Sequence, residues 1–408
     1  MTPPLQPTTL TERHRLLDVL RGFALLGVLL ANMATHSGYF FLSETGKEAL
    51  GLTQTDHLVE WLEHFLIDGK FYSLFSMLFG IGFALQMKRA AAFDINFTAR
   101  FRRRLLIMFI FGLVHAIFLY VGDILTVYAL TGFVLILFRN ASNKFLLRSA
   151  FVLLLLPVIQ YSIFWGMNLA NPPAVVIEPP TDEPRFFDIM IETYRTGSFI
   201  DIVKNNLGGL IFGRYPDLFF TGRFFRVLAM FLVGFYISKN MIYANVQANR
   251  PLILKVMIWG AVIGIPCNII LANMMATEAY YNLESTGIIQ PLVYAYGVPA
   301  LCLFYASAIA LLYDKQGWKK LLNVFAPVGQ LALTNYLMQS VICVFIFMSY
   351  GLALEASIGP ANLSLIAIAI YTFQAIFSHI WIRHFYFGPM EWLWRTLTYG
   401  KSQPFLKR

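Results

Sequence analysis

Apolar residues run through most of this chain without the regular polar interruptions of a water-exposed helix. Stretches of about 17–25 mostly apolar residues have the length that crosses a bilayer. The first is LLDVLRGFALLGVLLANMATHS, after a polar, Pro/Thr-rich lead at 1–12 that is expected to be disordered. The spans that follow make it an anchor rather than a signal peptide. Residues 55–70 read as an amphipathic lead-in, with Trp61 suited to an interface. FYSLFSMLFGIGFALQM is the second span. RLLIMFIFGLVHAIFLYVGDILTVYALTG, residues 104–132, supplies a third and a fourth as a hairpin turning at Gly122-Asp123. FLLRSAFVLLLLPVIQYSIFWGM is the fifth, with a kink expected at Pro157. Five more are expected at 219–238, 252–273, 291–313, 328–350 and 362–382. Between the two sets lies a polar excursion, 167–218, opening on NPPAVVIEPP and carrying seven acids against four bases. Within it, FFDIMIETY and FIDIVKNNLGGLIF read as helices that lie on the membrane surface or roof a cavity.

The pattern predicts an all-α, polytopic helical membrane protein of about ten transmembrane helices. It would form one integral membrane domain over 1–408, with spans 1–5 at 16–166, the excursion at 167–218, spans 6–10 at 219–382 and a tail at 383–408. Composition agrees: 58% of residues are hydrophobic and 13% charged, against roughly 25% charged in soluble domains. Loop charge sets the expected orientation. KRAAAFDINFTARFRRR holds six bases and one acid, and loops 139–148, 239–255 and 314–320 hold three bases each. Segments 274–290 and 351–361 hold acids and no bases. Basic loops face the cytoplasm, so both termini are expected there, in a bacterial inner membrane. The net charge of +9 then reflects anionic lipid rather than nucleic acid, which is not an expected partner. Cys267, Cys302 and Cys343 fit no metal or disulfide spacing and read as small buried hydrophobes.

Polar groups at membrane depth are scarce, since an Asp, Lys or Arg there costs about 2.5–3.5 kcal/mol. Those present are therefore candidates for function. His115 lies within the third span and Asp123 at the turn. Two readings stay open. Either the carboxylate orients an imidazole that acts as general base, or Asp123 caps the next helix while His115 bonds a neighbour. In the first span Asp18 and Arg21 can pair at i,i+3, and Arg21 and Asn32 share a face roughly 16 Å apart. His36 follows one turn later. Ala24, Gly27 or Val28 and Ala31, and separately Ser76, Gly80 and Ala84, form small-residue faces for close helix approach. In GQLALTNYLMQS, Gln330 and Thr334 are four apart, as are Asn335 and Gln339; such amides either join helices or bind a polar ligand. Glu391 and Arg395 form an expected i,i+4 pair. The catalytic candidates are His115, Asp123, Asn32 and His36. The substrate-binding candidates are Asp18, Arg21, Lys70, Arg104, Tyr128, Thr334, Asn335, Gln339, Glu391 and Arg395.

LDVLRGFALLGVLLAN, LFSMLFGIG, the GLVH…GDILTVYALTG hairpin, GQLALTNYLMQS and GPMEWLWRTLT together resemble the YeiB family of bacterial inner-membrane proteins. That family is similar to the transmembrane acyltransferase group, which includes the heparan-glucosaminide acetyltransferase type. The resemblance implies transfer of an acyl group from cytoplasmic acyl-CoA, as donor, to an outward-facing hydroxyl or amine. The acceptor would be a glycan, a lipid or a small metabolite, and no metal is implied. In the bacterial O-acyltransferase branch a catalytic histidine stands ten residues beyond the first-span arginine's neighbour. This sequence has Asn32 there, which leaves His115 as the substitute base and His36 as the runner-up. On this expectation Arg21 and Arg104 hold a coenzyme A phosphate, and Asn32 donates to the oxyanion. The alternative is a transporter or lipid-handling carrier with no covalent step. Membrane lipid is an expected partner, and a homo-oligomer is compatible with the sequence.

Overall fold

The computed structural model describes residues 14–93, 96–171 and 185–407. The lead at 1–12 and the Pro-rich stretch 172–180 lie outside them. Among the described residues the chain is all-helical, apart from an isolated pairing of Phe385 with Leu406. Six helices among the described residues are long and apolar enough to cross a membrane: Arg15–His36, Gln54–Ala92, Asn143–Ala170, Arg250–Met275, Ser285–Tyr313 and Pro360–His384. A bent pair, Phe199–Phe220 with Arg223–Lys239, makes a seventh if counted as one. The remaining expected spans are helical too. Leu125–Phe138 and Ala332–Phe347 are short, and Phe97–Phe118 opens on a run of arginines.

The expected sixth span therefore does not stand apart from the excursion. Phe199–Phe220 runs into Arg223–Lys239 at an angle of 60°, and the break falls at Gly222, whose φ of 65° suits a residue without a Cβ. Upstream, Gly209–Arg214 is a wide π-type turn. Such turns recur at functional sites.

Apolar side chains face outward where a soluble protein would hide them. In the apolar cores of Asn143–Ala170 and Arg250–Met275 only 17% and 22% of residues are buried, the arrangement of helices that meet lipid rather than water. Inside, close backbone approach replaces a bulky core. Lys70–Ala92 and Arg223–Lys239 interlock through Gly80 against the Phe231 carbonyl and Gly234 against the Met77 carbonyl, leaving no room for a side chain at either glycine. On the first helix Ala24 is fully buried and Gly27 meets the Phe71 ring, while Gly22 admits the backbone of Phe325. Phe79, Phe83, Phe101 and Phe231 form an aromatic cluster beside the hairpin.

Candidate active site

The hairpin closes by local hydrogen bonds. Leu119 and Tyr120 both donate to the His115 carbonyl, ending the Phe97–Phe118 helix, and Asp123 N–H donates to Tyr120. Gly112 makes room for the returning helix, since a Cβ there would stand 2.6 Å from the Thr126 nitrogen. Asp123 Oδ2 accepts from Thr126 N–H at 2.7 Å, which caps the helix Leu125–Leu135. Its other oxygen, Oδ1, lies 2.9 Å from His115 Nδ1. His115 Nε2 lies 2.8 Å from the Ser340 hydroxyl on Ala332–Phe347. The carboxylate thus caps a helix and meets the ring, and the ring bonds a neighbouring helix.

With Asp123 ionised, Nδ1 must carry the proton and Nε2 accepts from Ser340. A hydroxyl, an imidazole and a carboxylate in series form the arrangement in which serine becomes a nucleophile. All three are 1% exposed. His36 stacks on Tyr120 at 3.7 Å, and Tyr120 presents an edge to His115 at 6.1 Å. Tyr120 and Thr35 hydroxyls hydrogen-bond each other. Tyr336, one turn before Ser340, lies 5.0 Å from the imidazole. The amphipathic helices Phe186–Thr196 and Phe199–Gly208 roof this end: Asn206 accepts from Tyr194 O–H at 2.6 Å and donates to the Ile117 carbonyl at 3.0 Å. Arg214 Nη2 donates to the Gly122 carbonyl at 3.2 Å.

The other sequence candidates fall elsewhere. Asn32 is half-buried, and no hydrogen bond joins its amide to the relay. Asp18 pairs with Arg21 at 2.9 Å. Arg104 lies over the Trp394 ring at 3.5 Å, within electrostatic reach of Arg21 and Arg395. A cleft lined by Gln86, Arg89, Arg100 and Tyr399 opens at the same basic end. Glu391 accepts from Leu333 N–H at 2.7 Å, Thr334 N–H at 3.1 Å and the Thr334 hydroxyl at 2.5 Å. It therefore caps Ala332–Phe347, while Arg395 lies over Phe387. Asn335 donates to Ser378 at 2.9 Å, and Gln339 donates to Gln374 at 3.0 Å, so these amides join helices. Tyr128 bonds the Tyr72 carbonyl and Ser76. Lys70 is fully buried and donates to the His64 carbonyl at 2.6 Å.

Sequence reasoning missed Ser340 and Tyr120, and passed over Arg214, Arg223 and Arg226. Ser340 ends the polar face already visible in GQLALTNYLMQS, one residue past Gln339 and four past Tyr336. The arginines carried a signal too. They are bases gathered where an acidic excursion meets an apolar span.

Residues 237–401 match the family described as "Protein of unknown function (DUF418)". The chain is 35% identical to "Uncharacterized protein YxaH" of Bacillus subtilis, over 99% of this chain and 98% of that one. It is 29% identical to "Uncharacterized 39.9 kDa protein in amylase 3'region" of Bacillus acidopullulyticus, over 98% of each. It is 25% identical to "Uncharacterized protein YeiB" of Escherichia coli, over 97% of this chain and 99% of that one. With likeness to YxaH running nearly end to end, and a DUF418 match within the second half of the chain, the chain belongs to the YeiB-like DUF418 family.

Proposed function

We propose that this protein is an acyltransferase of the bacterial inner membrane, with ten spans and both termini in the cytoplasm. In this reading Ser340 carries the acyl group as an ester. The observation that supports it is the hydrogen-bonded series Ser340–His115–Asp123, with 2.8 Å and 2.9 Å links, held on three separate segments. A merely structural histidine needs no ionisable partner behind it and no hydroxyl in front.

Acyl-CoA is the proposed donor. Arg104 precedes His115 by eleven residues on one helix, roughly 16 Å of rise. Phosphates held by Arg21 and Arg104 would leave the pantetheine arm to carry the thioester toward the relay. Ser340 Oγ bonds the thioester carbonyl carbon as its proton passes to His115 Nε2. The carbon–sulfur bond breaks, the sulfur takes that proton, and the free thiol leaves. An acceptor hydroxyl or amine then gives its proton to Nε2 and bonds the ester carbon. The bond to Oγ breaks, and Ser340 recovers a proton from His115. Throughout, Asp123 holds the ring in one tautomer and stabilises the imidazolium. The roof over the relay keeps water from competing with the acceptor.

The test is purified protein with radiolabelled acyl-CoA and no acceptor. The expected result is a stoichiometric burst of thiol release, with label retained on the peptide that contains Ser340. Ser340→Ala should abolish the label, and His115→Ala should slow the burst by on the order of 10²–10⁴. Undiminished thiol release in both variants would remove the relay from the chemistry.

A further inference from the structure

The break at Thr221-Gly222 gathers three guanidinium groups on one side of the relay. Arg214 ends the π-type turn, and Arg223 and Arg226 stand on the first turn of Arg223–Lys239. Among the described residues none of the three makes an ion pair. Asp217 is the carboxylate whose field reaches both Arg214 and Arg223, but it lies beyond pairing distance. The Nε atoms of Arg214 and Arg223 are sealed from solvent and have no hydrogen-bond partner among the described residues. Arg223 lies over Tyr72 at 5.4 Å and Arg226 over Tyr294 at 3.6 Å, and the two tyrosine hydroxyls are 2.5 Å apart. No side chain caps the helix that begins here, so its positive end adds to the same field. Three cations and a helix N-terminus with one distant carboxylate form an unbalanced site; Arg226 is buried and Arg214 and Arg223 are half-buried, and uncompensated charge drawn out of water is unfavourable.

We infer that this break binds a phosphate group, as a monoester or a diester. A carboxylate offers two oxygens in one plane, which suits a single guanidinium fork. A tetrahedral phosphate presents oxygens in several directions and can meet separate arginines together with helix N–H groups. The Arg214 bond to the Gly122 carbonyl, next to Asp123, gives the anion site and the relay a common wall. A phosphate bound here belongs either to a lipid headgroup or to a water-soluble phosphate ester. The inference concerns binding and stands whether or not acyl transfer does.

The experiment uses full-length, delipidated protein in detergent. Thermal unfolding is followed against inorganic phosphate at constant ionic strength, beside native mass spectrometry of protein drawn from phosphatidylglycerol vesicles. Phosphate should raise the melting temperature saturably. Arg214→Gln and Arg223→Gln should each weaken the apparent affinity about tenfold or more, the worth of one lost charge-assisted hydrogen bond. Retained phosphatidylglycerol that is lost in Arg223→Gln assigns the site to a lipid headgroup. Phosphate stabilisation without retained lipid assigns it to a soluble ester. Absence of both phosphate stabilisation and variant-sensitive lipid overturns the inference, and so do equal responses in wild type and variants. Should the glutamine variants not fold, Arg223→Lys keeps the charge but loses the fork; an unchanged phosphate response in that variant overturns the inference as well.

Discussion

Asp123 divides its two oxygens between a helix end and an imidazole, and that division makes it the most exacting single position in the hairpin. Asparagine there keeps one acceptor and turns an N–H₂ toward one of the two partners. If the amide donates to Nδ1, the ring proton moves to Nε2, which can no longer take a proton from Ser340. Asp123→Asn is therefore expected to lower kcat by on the order of 10²–10⁴ with little change in KM. It should also lower the melting temperature, as a helix cap worth roughly 0.5–2 kcal/mol weakens. Glu355 makes a different demand. It is 1% exposed, its Oε2 has no partner among the described residues, and burial holds its carboxyl well above the ordinary 4.5. A raised carboxyl binds more protons folded than unfolded, so stability is greatest in acid and falls as pH rises above the unfolded value. Glu355→Gln should match wild type at low pH and exceed it at neutral pH. Melting curves of the two proteins that stay parallel across pH would refute this. The pairing of His115 with Asp123 was legible because they lie eight positions apart across a Gly-Asp turn. Ser340 is 225 positions away from its imidazole, and no local spacing encodes that meeting.

Among the helices, Ala332–Phe347 has its start set from outside itself. A helix leaves its first N–H groups without internal partners, and here a carboxylate from a distant segment, Glu391, accepts from two of them and from the Thr334 hydroxyl. The sequence alone suggested a partner one turn along, Arg395, because an i,i+4 spacing is visible there and a cap from 57 residues away is not. Glu391→Ala should cost on the order of 1–2 kcal/mol, read as a lower melting temperature. Glu391→Gln should recover part of the loss by keeping one acceptor. Because Ser340 is carried on this helix, the Ala variant should also slow Ser340 acylation; unchanged stability and acylation together would show that the cap is dispensable. The amides of Asn335 and Gln339 were legible as a face, and the choice between joining helices and holding a ligand depended on a neighbour, Pro360–His384, that only folding brings alongside.

At the scale of the molecule, hydropathy placed apolar helices that the described residues contain, but not how the excursion enters Arg223–Lys239. That break depends on a left-handed glycine and a π-type turn, which no average over a window records. The orientation proposed from loop charge makes a simple prediction. Reporters placed after residue 407 and in the loop near residue 141 should read as cytoplasmic, and one in Phe186–Thr196 as external. A reporter in that helix reading cytoplasmic would invert the arrangement and place the roofed relay on the opposite side. The relay itself is assembled from both halves of the chain. The stretch matching DUF418, 237–401, contains Ser340 but neither His115 nor Asp123. A gene truncated to that stretch would still be recognisable by kinship while supplying only the serine. Two separately expressed pieces, cut between Asp123 and Ser340, would have to find each other in the bilayer before the hydrogen-bonded series could form.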